Sequence, residues 1–378
     1  IICIGSVAEL EELSGQKVED LHKQYIDRIE IKVDGKTYRR TPEVLDCWFE
    51  SGSMPYAQHH YPFNNKEKVE QNFPAEFIAE GLDQTRGWFY TLLVISTALF
   101  DKPAFRNVIV NGLILAEDGR KMSKRLQNYP DPLQVINDYG ADALRLCLLS
   151  SPVVRAEDLR FSESAVREIM RTVLLPLWNA YSFLITYVRV DNWKPQTPDT
   201  CPKNPENVLD RWVISRLSGT ISDLREAMDA YDLQKAANRF TGFLEDLTNW
   251  YIRRSRRRFW KSCNDTDKND AYQTLYHVLL TFCKLACPFI PFITENIYRN
   301  LRSEDMPESV HLCDYPELSP ETYDEALNER MSRTMMAVSL GRYLRSQTAL
   351  KIRQPLSRAL LVSLDENVRT DLTAMADR

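Results

Sequence analysis

The segment Gly119-Arg-Lys-Met-Ser-Lys-Arg125 combines a glycine with closely spaced cations. Lys124 and Arg125 follow Lys121 by three and four residues, so one helical turn would bring both close to Lys121. Gly119 permits a tight turn just before them. A compact group of cations suits a polyphosphate whose negative charge grows during a reaction. An ordinary solvated surface turn is the alternative for a short basic stretch.

The residues before this segment favour a nucleotide site. Residues 108–115 form a nearly continuous apolar run, which is typical of a buried parallel strand. Open α/β sheets bind nucleotides just past the carboxyl ends of such strands. Within the run, Asn111 and Gly112 follow Val108–Val110, and an adenine ring could lie against the backbone of Gly112. A glycine that only accommodates close packing is the alternative.

A second candidate stretch is predicted to be a strand that ends in an acidic turn, over residues 77–84, followed by a helix from Thr85. Carboxylates at the carboxyl end of a strand can bind ribose hydroxyls or a substrate ammonium group. Asp83 could instead cap the helix that follows. The candidate residues here are Glu80, Gly81, Asp83 and Gln84.

Both stretches resemble a known family. Lys121-Met-Ser-Lys-Arg125 resembles the KMSKS loop of the class I aminoacyl-tRNA synthetases, and Glu80-Gly-Leu-Asp-Gln-Thr-Arg-Gly-Trp-Phe89 resembles the adenylate-site segment of their isoleucyl members. Arg125 and the segment from Asp46 to Gln58 resemble the eukaryotic cytosolic branch. The resemblance extends to about Leu356. The other motif of the class, His-x-Gly-His, is absent from the sequence, so we expect a fragment that lacks the N-terminal half of its enzyme.

The resemblance implies an α/β fold. Residues 1–160 would be the C-terminal part of a class I Rossmann-like catalytic domain, residues 161–325 an α-helical anticodon-binding bundle, and residues 326–378 the truncated start of a C-terminal domain. It also implies ATP-dependent activation of isoleucine and its transfer to tRNA-Ile in the cytoplasm. ATP and Mg²⁺ are the expected cofactors, no metal site is expected in the chain itself, and other synthetases could join it in a larger complex.

Roles for individual residues follow from the same resemblance. Lys121 and Lys124 would neutralise the departing pyrophosphate, with Lys124 as the stronger candidate for the ATP contact. Trp48 and Trp88 would wall the amino-acid pocket, although packing alone would also explain Trp48. Such a pocket rejects a side chain that lacks one methylene by only about 1–3 kcal/mol, which is why isoleucyl enzymes edit valine. Little or none of the editing domain lies in these residues. The adenylate would be surrounded by Glu80, Gly81, Asp83, Gln84, Asn111 and Gly112.

From about residue 162 to 300 the apolar residues recur at three- and four-residue steps. This pattern predicts four long helices, over residues 165–188, 208–228, 233–262 and 272–301, and therefore a bundle. Within the fourth stretch, breaks are predicted at Pro288 and Pro291. The third helix is rich in arginine and would offer phosphates a basic face. A charged, solvated helix is the alternative. We expect Trp250, Tyr251 and Trp260 to be core residues. The candidate RNA-binding residues are Arg253, Arg254, Arg256, Arg257, Arg258 and Lys261; they cannot all share one face, so we expect some to pair with acids inside the bundle.

The composition describes an ordinary globular chain, with 44% hydrophobic and 27% charged residues. A net charge of −5 means that any nucleic-acid binding must come from a local basic face. The eight cysteines form no CxxC pair, which favours core cysteines in a reducing compartment over metal ligands. We expect no membrane-spanning stretch. Two further local predictions are a hairpin at 33–36 and an apolar strand at 359–364.

Three other functions fit parts of the sequence. The chain could be a tRNA-binding module that catalyses nothing. It could come from a valyl- or leucyl-type synthetase, although the run from Asp83 to Trp88 argues against that. A nucleotidylyltransferase outside the synthetases would share the basic loop but would not need the arginine-rich helix.

Overall fold

The computed structural model describes residues 1–123, 125, 126, 128–196, 200–203, 205–261 and 265–375. The chain divides into two compact units, Ile1–Val108 and Ile109–Arg378. This division falls inside a strand, whereas the domains expected from the family divide at residue 160.

The first unit begins with two short helices and a hairpin. Helix α1 (Val7–Ser14) starts at Ser6, whose side chain accepts a hydrogen bond from the Glu9 amide, and α2 covers Lys23–Ile26. Strands β1 (Glu30–Val33) and β2 (Lys36–Arg39) pair antiparallel. Asp34 and Gly35 join them with φ angles of 52° and 71°, as a two-residue hairpin turn requires. The predicted hairpin is confirmed.

The rest of the first unit places two helices face to face. Its elements are α3 (Cys47–Ala57), α4 (Lys66–Asn72), β3 (Ala75–Gly81), a 3₁₀ turn (Leu82–Arg86), α5 (Trp88–Phe100) and the first part of β4 (Phe105–Asn111). Gly52 allows α3 to approach α5, because a Cβ atom there would lie 2.9 Å from side-chain atoms of Thr91 and Ile95. Strand β3 lies beside the start of β4, where the Ala75 amide donates to the Ala104 carbonyl.

The second unit begins with short elements around the basic loop. Strand β5 (Ile114–Leu115) pairs in parallel with β6 (Leu159–Arg160), and between them lie α6 (Pro132–Tyr139), α7 (Ala141–Leu149) and a 3₁₀ turn (Pro152–Arg155). The prediction of one buried strand over 108–115 is therefore wrong in two respects. The run is split between β4 and β5, and Val108 is 44% exposed. The split occurs where the Gly112 amide leaves the strand and donates to the Val153 carbonyl.

The bundle consists of long helices that share one core. Helices α8 (Glu163–Ile169) and α9 (Leu175–Asp191) are joined by a π turn (Met170–Leu174); α10 covers Val208–Asp229; a second π turn (Asp246–Ile252) joins α11 (Leu233–Glu245) to α12 (Arg253–Trp260). The predicted fourth helix is two helices, α13 (Thr266–Ala286) and α14 (Pro291–Leu301), because the chain turns before Pro291. The core is aromatic, with Phe240 and Phe243 packed on Phe282 at ring distances of 5.7 and 5.5 Å.

One helical stretch of the described chain has the length and composition of a membrane span. Among the described residues, Glu163–Asp191 alone is long and apolar enough to cross a membrane by length and composition. This differs from the expectation that no such stretch exists. A core helix passes the same test, and Leu177, Ala180 and Leu184 are buried in the bundle core.

The last part of the chain is helical but leaves apolar residues exposed. It contains two 3₁₀ turns (Val310–Leu312 and Pro320–Thr322), α15 (Glu325–Gln347) and α16 (Glu366–Ala374). The strand predicted at 359–364 is wrong. These residues form no strand, because no neighbouring segment in the described part of the chain pairs with them.

Candidate nucleotide site and basic helix

In the first unit, Gln84 organises the start of α5. Its side-chain oxygen accepts a hydrogen bond from the Trp88 amide at 2.9 Å, and its side-chain nitrogen donates to Asp83 at 3.3 Å. Asp83 therefore does not cap this helix; Gln84 does. The Asp83 carboxylate stays exposed, as does Glu80 at the end of β3.

Gly81 makes room for that carboxylate. A Cβ atom at Gly81 would lie 2.7 Å from the Asp83 side-chain oxygen. Any side chain at position 81 would thus push Asp83 away. The glycine, the carboxylate and the amide of residues 81, 83 and 84 form one local arrangement beyond the carboxyl end of a strand, where sugars and ammonium groups bind in α/β folds.

Trp88 and Trp48 both lie near the contact between α3 and α5, but they differ in burial and in hydrogen bonding. Trp88 donates its indole N–H to the Ser51 carbonyl at 2.9 Å and lines a small apolar cavity with Ile78 and Leu92. Trp48 is 42% exposed, and its ring edge lies 3.1 Å from the place that a Cβ atom of Gly87 would take. Trp48 is therefore not a core residue. Trp48 is not among the residues that line this cavity.

In the second unit, a tight turn presents Lys121. The Gly119 amide donates to the Ala116 carbonyl and the Ala116 amide to the Arg120 carbonyl, while Gly119 has a φ of 81°. Lys121 forms a β-bridge with Leu115 and is exposed. The expected helical turn is not observed at 121–123, because this bridge holds the backbone extended. Lys124 lies outside the described residues.

Two arginines lie near this turn, and one of them is already paired. Arg120 bonds the Asp118 carboxylate at 2.7 Å, and this hydrogen bond holds the pKa of Asp118 below its usual value. The guanidinium of Arg160, on β6, lies 3.2–3.4 Å from the place that a Cβ atom of Gly119 would take. Sequence reasoning missed Arg160, because only the pairing of β5 with β6 brings it to the loop.

Gly112 has a packing role. A Cβ atom there would lie 1.9 Å from the Glu157 carbonyl oxygen, so no other residue fits without a backbone shift. That carbonyl occupies the position where a side chain at residue 112 would project. The packing alternative therefore explains the glycine. Asn111 beside it is half-buried.

The arginine-rich helix uses part of its charge inside the bundle. Arg258 is buried and binds both oxygens of Asp210, at 2.7 and 2.6 Å, and the Asp267 carboxylate at 2.8 Å. Lys261 binds Asp265 and Asp267 at 3.1 and 2.9 Å. The prediction that some cations pair with acids inside the bundle is confirmed. These aspartates already compensate the charges of Arg258 and Lys261, so we remove both residues from the RNA candidates.

The other candidates on this helix are exposed: Arg253, Arg254, Arg256 and Arg257. Arg253 and Arg256, one turn apart, line a polar cleft with Thr248, Asn249 and Arg171. The sequence did not single out Arg171, which lies in the other π turn, between α8 and α9. Of the three aromatic residues, Tyr251 is buried as expected, Trp250 is half-buried and packs against the core, and Trp260 is 55% exposed.

Comparison with known proteins accounts for both parts of the chain. The family described as "tRNA synthetases class I (I, L, M and V)" matches residues 1–160, and the family described as "Anticodon-binding domain of tRNA ligase" matches residues 210–360. The chain belongs to the class I tRNA synthetases. Its α/β catalytic part is followed by a helical anticodon-binding domain, as the resemblance implied.

Individual relatives are similar over nearly the whole chain. A protein of Protochlamydia amoebophila named isoleucine–tRNA ligase is 56% identical over 97% of the chain. Proteins of the same name from Chlamydia trachomatis serovar L2 and Treponema denticola are 55% and 52% identical, over 97% and 100% of the chain. In each case the synthetase chain described here spans only 35% of the relative's length.

A solved structure supports the fold alone. The ternary LeuRS–tRNA–LeuAMS complex of Agrobacterium radiobacter K84 contains a chain that matches 80% of this one with a TM-score of 0.63. The match covers 36% of that chain at 18% sequence identity.

Proposed function

We propose that this chain is the part of an isoleucine–tRNA ligase that carries the basic phosphate loop and the anticodon-binding bundle. The enzyme would activate isoleucine with ATP in the cytoplasm and transfer it to tRNA-Ile. The observation that carries the proposal is an identity of 52–56% to proteins of that name over nearly all of the chain. The exposed Lys121 at the loop and the exposed arginines of α12 are consistent with it.

The first chemical step needs charge stabilisation more than proton transfer. The isoleucine carboxylate attacks the α-phosphorus of ATP, a new P–O bond forms, and the bond to the departing pyrophosphate breaks. Lys121 and Lys124 would stabilise the negative charge that grows on the pyrophosphate. Mg²⁺ would enter bound to ATP as part of the substrate; the described residues hold no group of three or more metal-ligating side chains.

The other candidate residues would hold the remaining parts of the adenylate. Glu80 and Asp83 are exposed acceptors for ribose hydroxyls or the substrate ammonium group. Gln84 acts mainly as a positioning residue, because its oxygen is used by the Trp88 amide. Asn111 would lie near the adenine, with Gly112 shaping the backbone beside it. Trp88 and Trp48 would bound the isoleucine side chain, with Trp88 as the better buried of the two.

The tRNA would contact the exposed arginines on α12. Each guanidinium that neutralises a phosphate releases counterions, so binding would weaken as salt increases. A eukaryotic cytosolic origin stays a prediction from Arg125 and the segment from Asp46 to Gln58. An assembly with other synthetases stays an untested prediction of the family resemblance. The relatives named above are bacterial and do not support the eukaryotic branch.

The direct test is Lys121→Ala in the full-length enzyme that contains this chain. Adenylate formation, measured by isoleucine-dependent pyrophosphate exchange, should slow by about 100-fold because one preorganised cation is lost. Isoleucine binding should stay the same. Arg120→Ala is the matched control, since Arg120 is already paired with Asp118. Lys124→Ala should slow activation at least as much, because Lys124 is the stronger candidate for the ATP contact. Unchanged activation in both lysine variants would refute the proposed role of the loop.

A non-catalytic tRNA-binding module is the second candidate, and the large buried core of the second unit, to which the bundle helices contribute most residues, favours it. Salt-dependent tRNA binding by the full-length protein without pyrophosphate exchange would support it. Exchange that depends on valine or leucine instead of isoleucine would assign the chain to a related synthetase.

A further inference from the structure

Asn128 binds the backbone of the basic loop through both polar atoms of its side-chain amide. Its oxygen accepts a hydrogen bond from the Ser123 amide at 2.9 Å, and its nitrogen donates to the Lys121 carbonyl at 3.2 Å. The side chain is half-buried, so water competes less for these bonds. A side-chain amide offers an acceptor and a donor side by side, and here they bind two backbone groups that are two residues apart.

Two other contacts complete the restraint on this segment. On one side, Lys121 is bridged to Leu115 across the turn at Gly119. Met122 lies between the two residues that Asn128 binds, and it packs against the apolar core of the second unit. Met122 is thus held against the core, while the neighbouring Lys121 is exposed.

We propose that Asn128 is a positioning residue for the phosphate chemistry of this loop. It holds the backbone on both sides of Met122, and so keeps the Lys121 ammonium group aimed at the phosphates. A displacement of about 1 Å at a reacting group can cost about 100-fold in rate, so a loose loop would lose much of the benefit of its lysine. This inference rests on the proposed function, because it concerns the same reaction.

The test compares Asn128→Ala and Asn128→Asp in the full-length enzyme. The alanine removes both bonds, while the aspartate keeps the size but sets an oxygen against the Lys121 carbonyl. Both should slow adenylate formation by about tenfold or more, through kcat or the KM for ATP. The KM for isoleucine, the affinity for tRNA and the Tm should not change. Asn137→Ala, at an exposed position on α6, is the control and should behave as wild type.

A double-mutant cycle separates positioning from general support. If Asn128 acts through Lys121, Asn128→Ala should lower the rate by less than about twofold in the Lys121→Ala background, because coupled residues are not additive. Additive losses would overturn the proposal. So would a uniform decline of Tm, tRNA affinity and every kinetic constant, since that would indicate a merely structural residue.

Amide hydrogen exchange tests this restraint on the loop without catalysis. In Asn128→Ala, exchange should become faster in the peptide over residues 116–129 and stay the same in the bundle helices. If the wild-type enzyme does not activate isoleucine, the proposed function fails. Unchanged amide exchange in Asn128→Ala would then show that Asn128 does not restrain the loop either. If the wild type is active and Asn128→Ala matches it, the inference alone is overturned.

Discussion

The helical bundle and the first unit use their residues in opposite ways. In the bundle, aromatic side chains fill a common core, and the guanidinium of Arg258 is matched by two acids. In the first unit, Trp48, Phe77 and Leu99 are exposed, and the side chains of Asp83 and Gln84 make hydrogen bonds only to nearby residues of the chain. The contrast indicates that a side chain of the bundle interior contributes mainly to stability, whereas the candidate residues of the first unit are available to a ligand.

The largest difference in stability between a buried and an exposed residue is expected for Arg258→Met. Removing the guanidinium leaves Asp210, which is 0% exposed, as a buried and poorly compensated charge. We expect a loss of about 3–5 kcal/mol in the free energy of unfolding, measured by urea denaturation. Arg256→Met is the control and should change it by no more than about 0.5 kcal/mol, because Arg256 is exposed. Equal losses of unfolding free energy in the two variants would mean that the buried ion pair contributes no more to stability than an exposed arginine does.

A leucine comparison sharpens the contrast between the two regions. Leu279 is 0% exposed in the bundle core, so Leu279→Ala should lower the free energy of unfolding by about 3 kcal/mol through lost burial and the cavity left behind. Leu99 on α5 is 61% exposed, and Leu99→Ala should cost less than about 0.5 kcal/mol. If the two variants were equally destabilised, exposure in the first unit would not reflect its behaviour in solution.

The exposed arginines should matter for RNA and little for stability. Arg253→Gln and Arg256→Gln should each weaken tRNA binding and reduce the slope of log K against log salt by about 1. Filter binding or fluorescence titration at several salt concentrations would measure both. Arg239→Gln serves as the control, because Arg239 is paired with Asp223. A slope that stays constant in both variants would place the RNA on another surface.

The smallest expected effect is a pH dependence at the start of α11. A hydrogen bond from Arg155, at 2.5 Å, and one from the Lys235 amide lower the pKa of Asp232 from its ordinary value of 3.8. A lowered folded-state pKa stabilises the protein above the ordinary value, and this stabilisation is lost as pH falls through the folded-state pKa.

Urea midpoints at pH 7 and below the ordinary pKa would test this. Asp232→Asn keeps an oxygen for the Lys235 amide but cannot titrate, so its midpoint should fall less on acidification than that of the wild type. The same fall in both proteins would show that other carboxylates dominate acid unfolding.

Local features of the fold were predictable from the sequence, whereas long-range pairings were not. The hairpin at Asp34-Gly35 and most of the bundle helices follow from turn residues and apolar periodicity. The strand predicted at 359–364 failed, because an apolar run becomes a strand only where another segment pairs with it. The candidate site divides in the same way. Exposed Glu80, Asp83 and Lys121 agree with ligand roles, while Gly112 is explained by the Glu157 carbonyl, 45 residues farther along the chain.

The sequence by itself determined which segments are helical and where cations gather, because periodicity and charge are properties of neighbouring residues. It could not decide what each cation does. Arg256 and Arg258 are two residues apart on one helix, yet one is exposed and the other is buried against Asp210, which lies 48 positions away. Only the tertiary structure, which brings Asp210 of α10 and Asp267 of α13 to Arg258, decides that difference, because the free energy of a charge depends on the acids and the water that surround it.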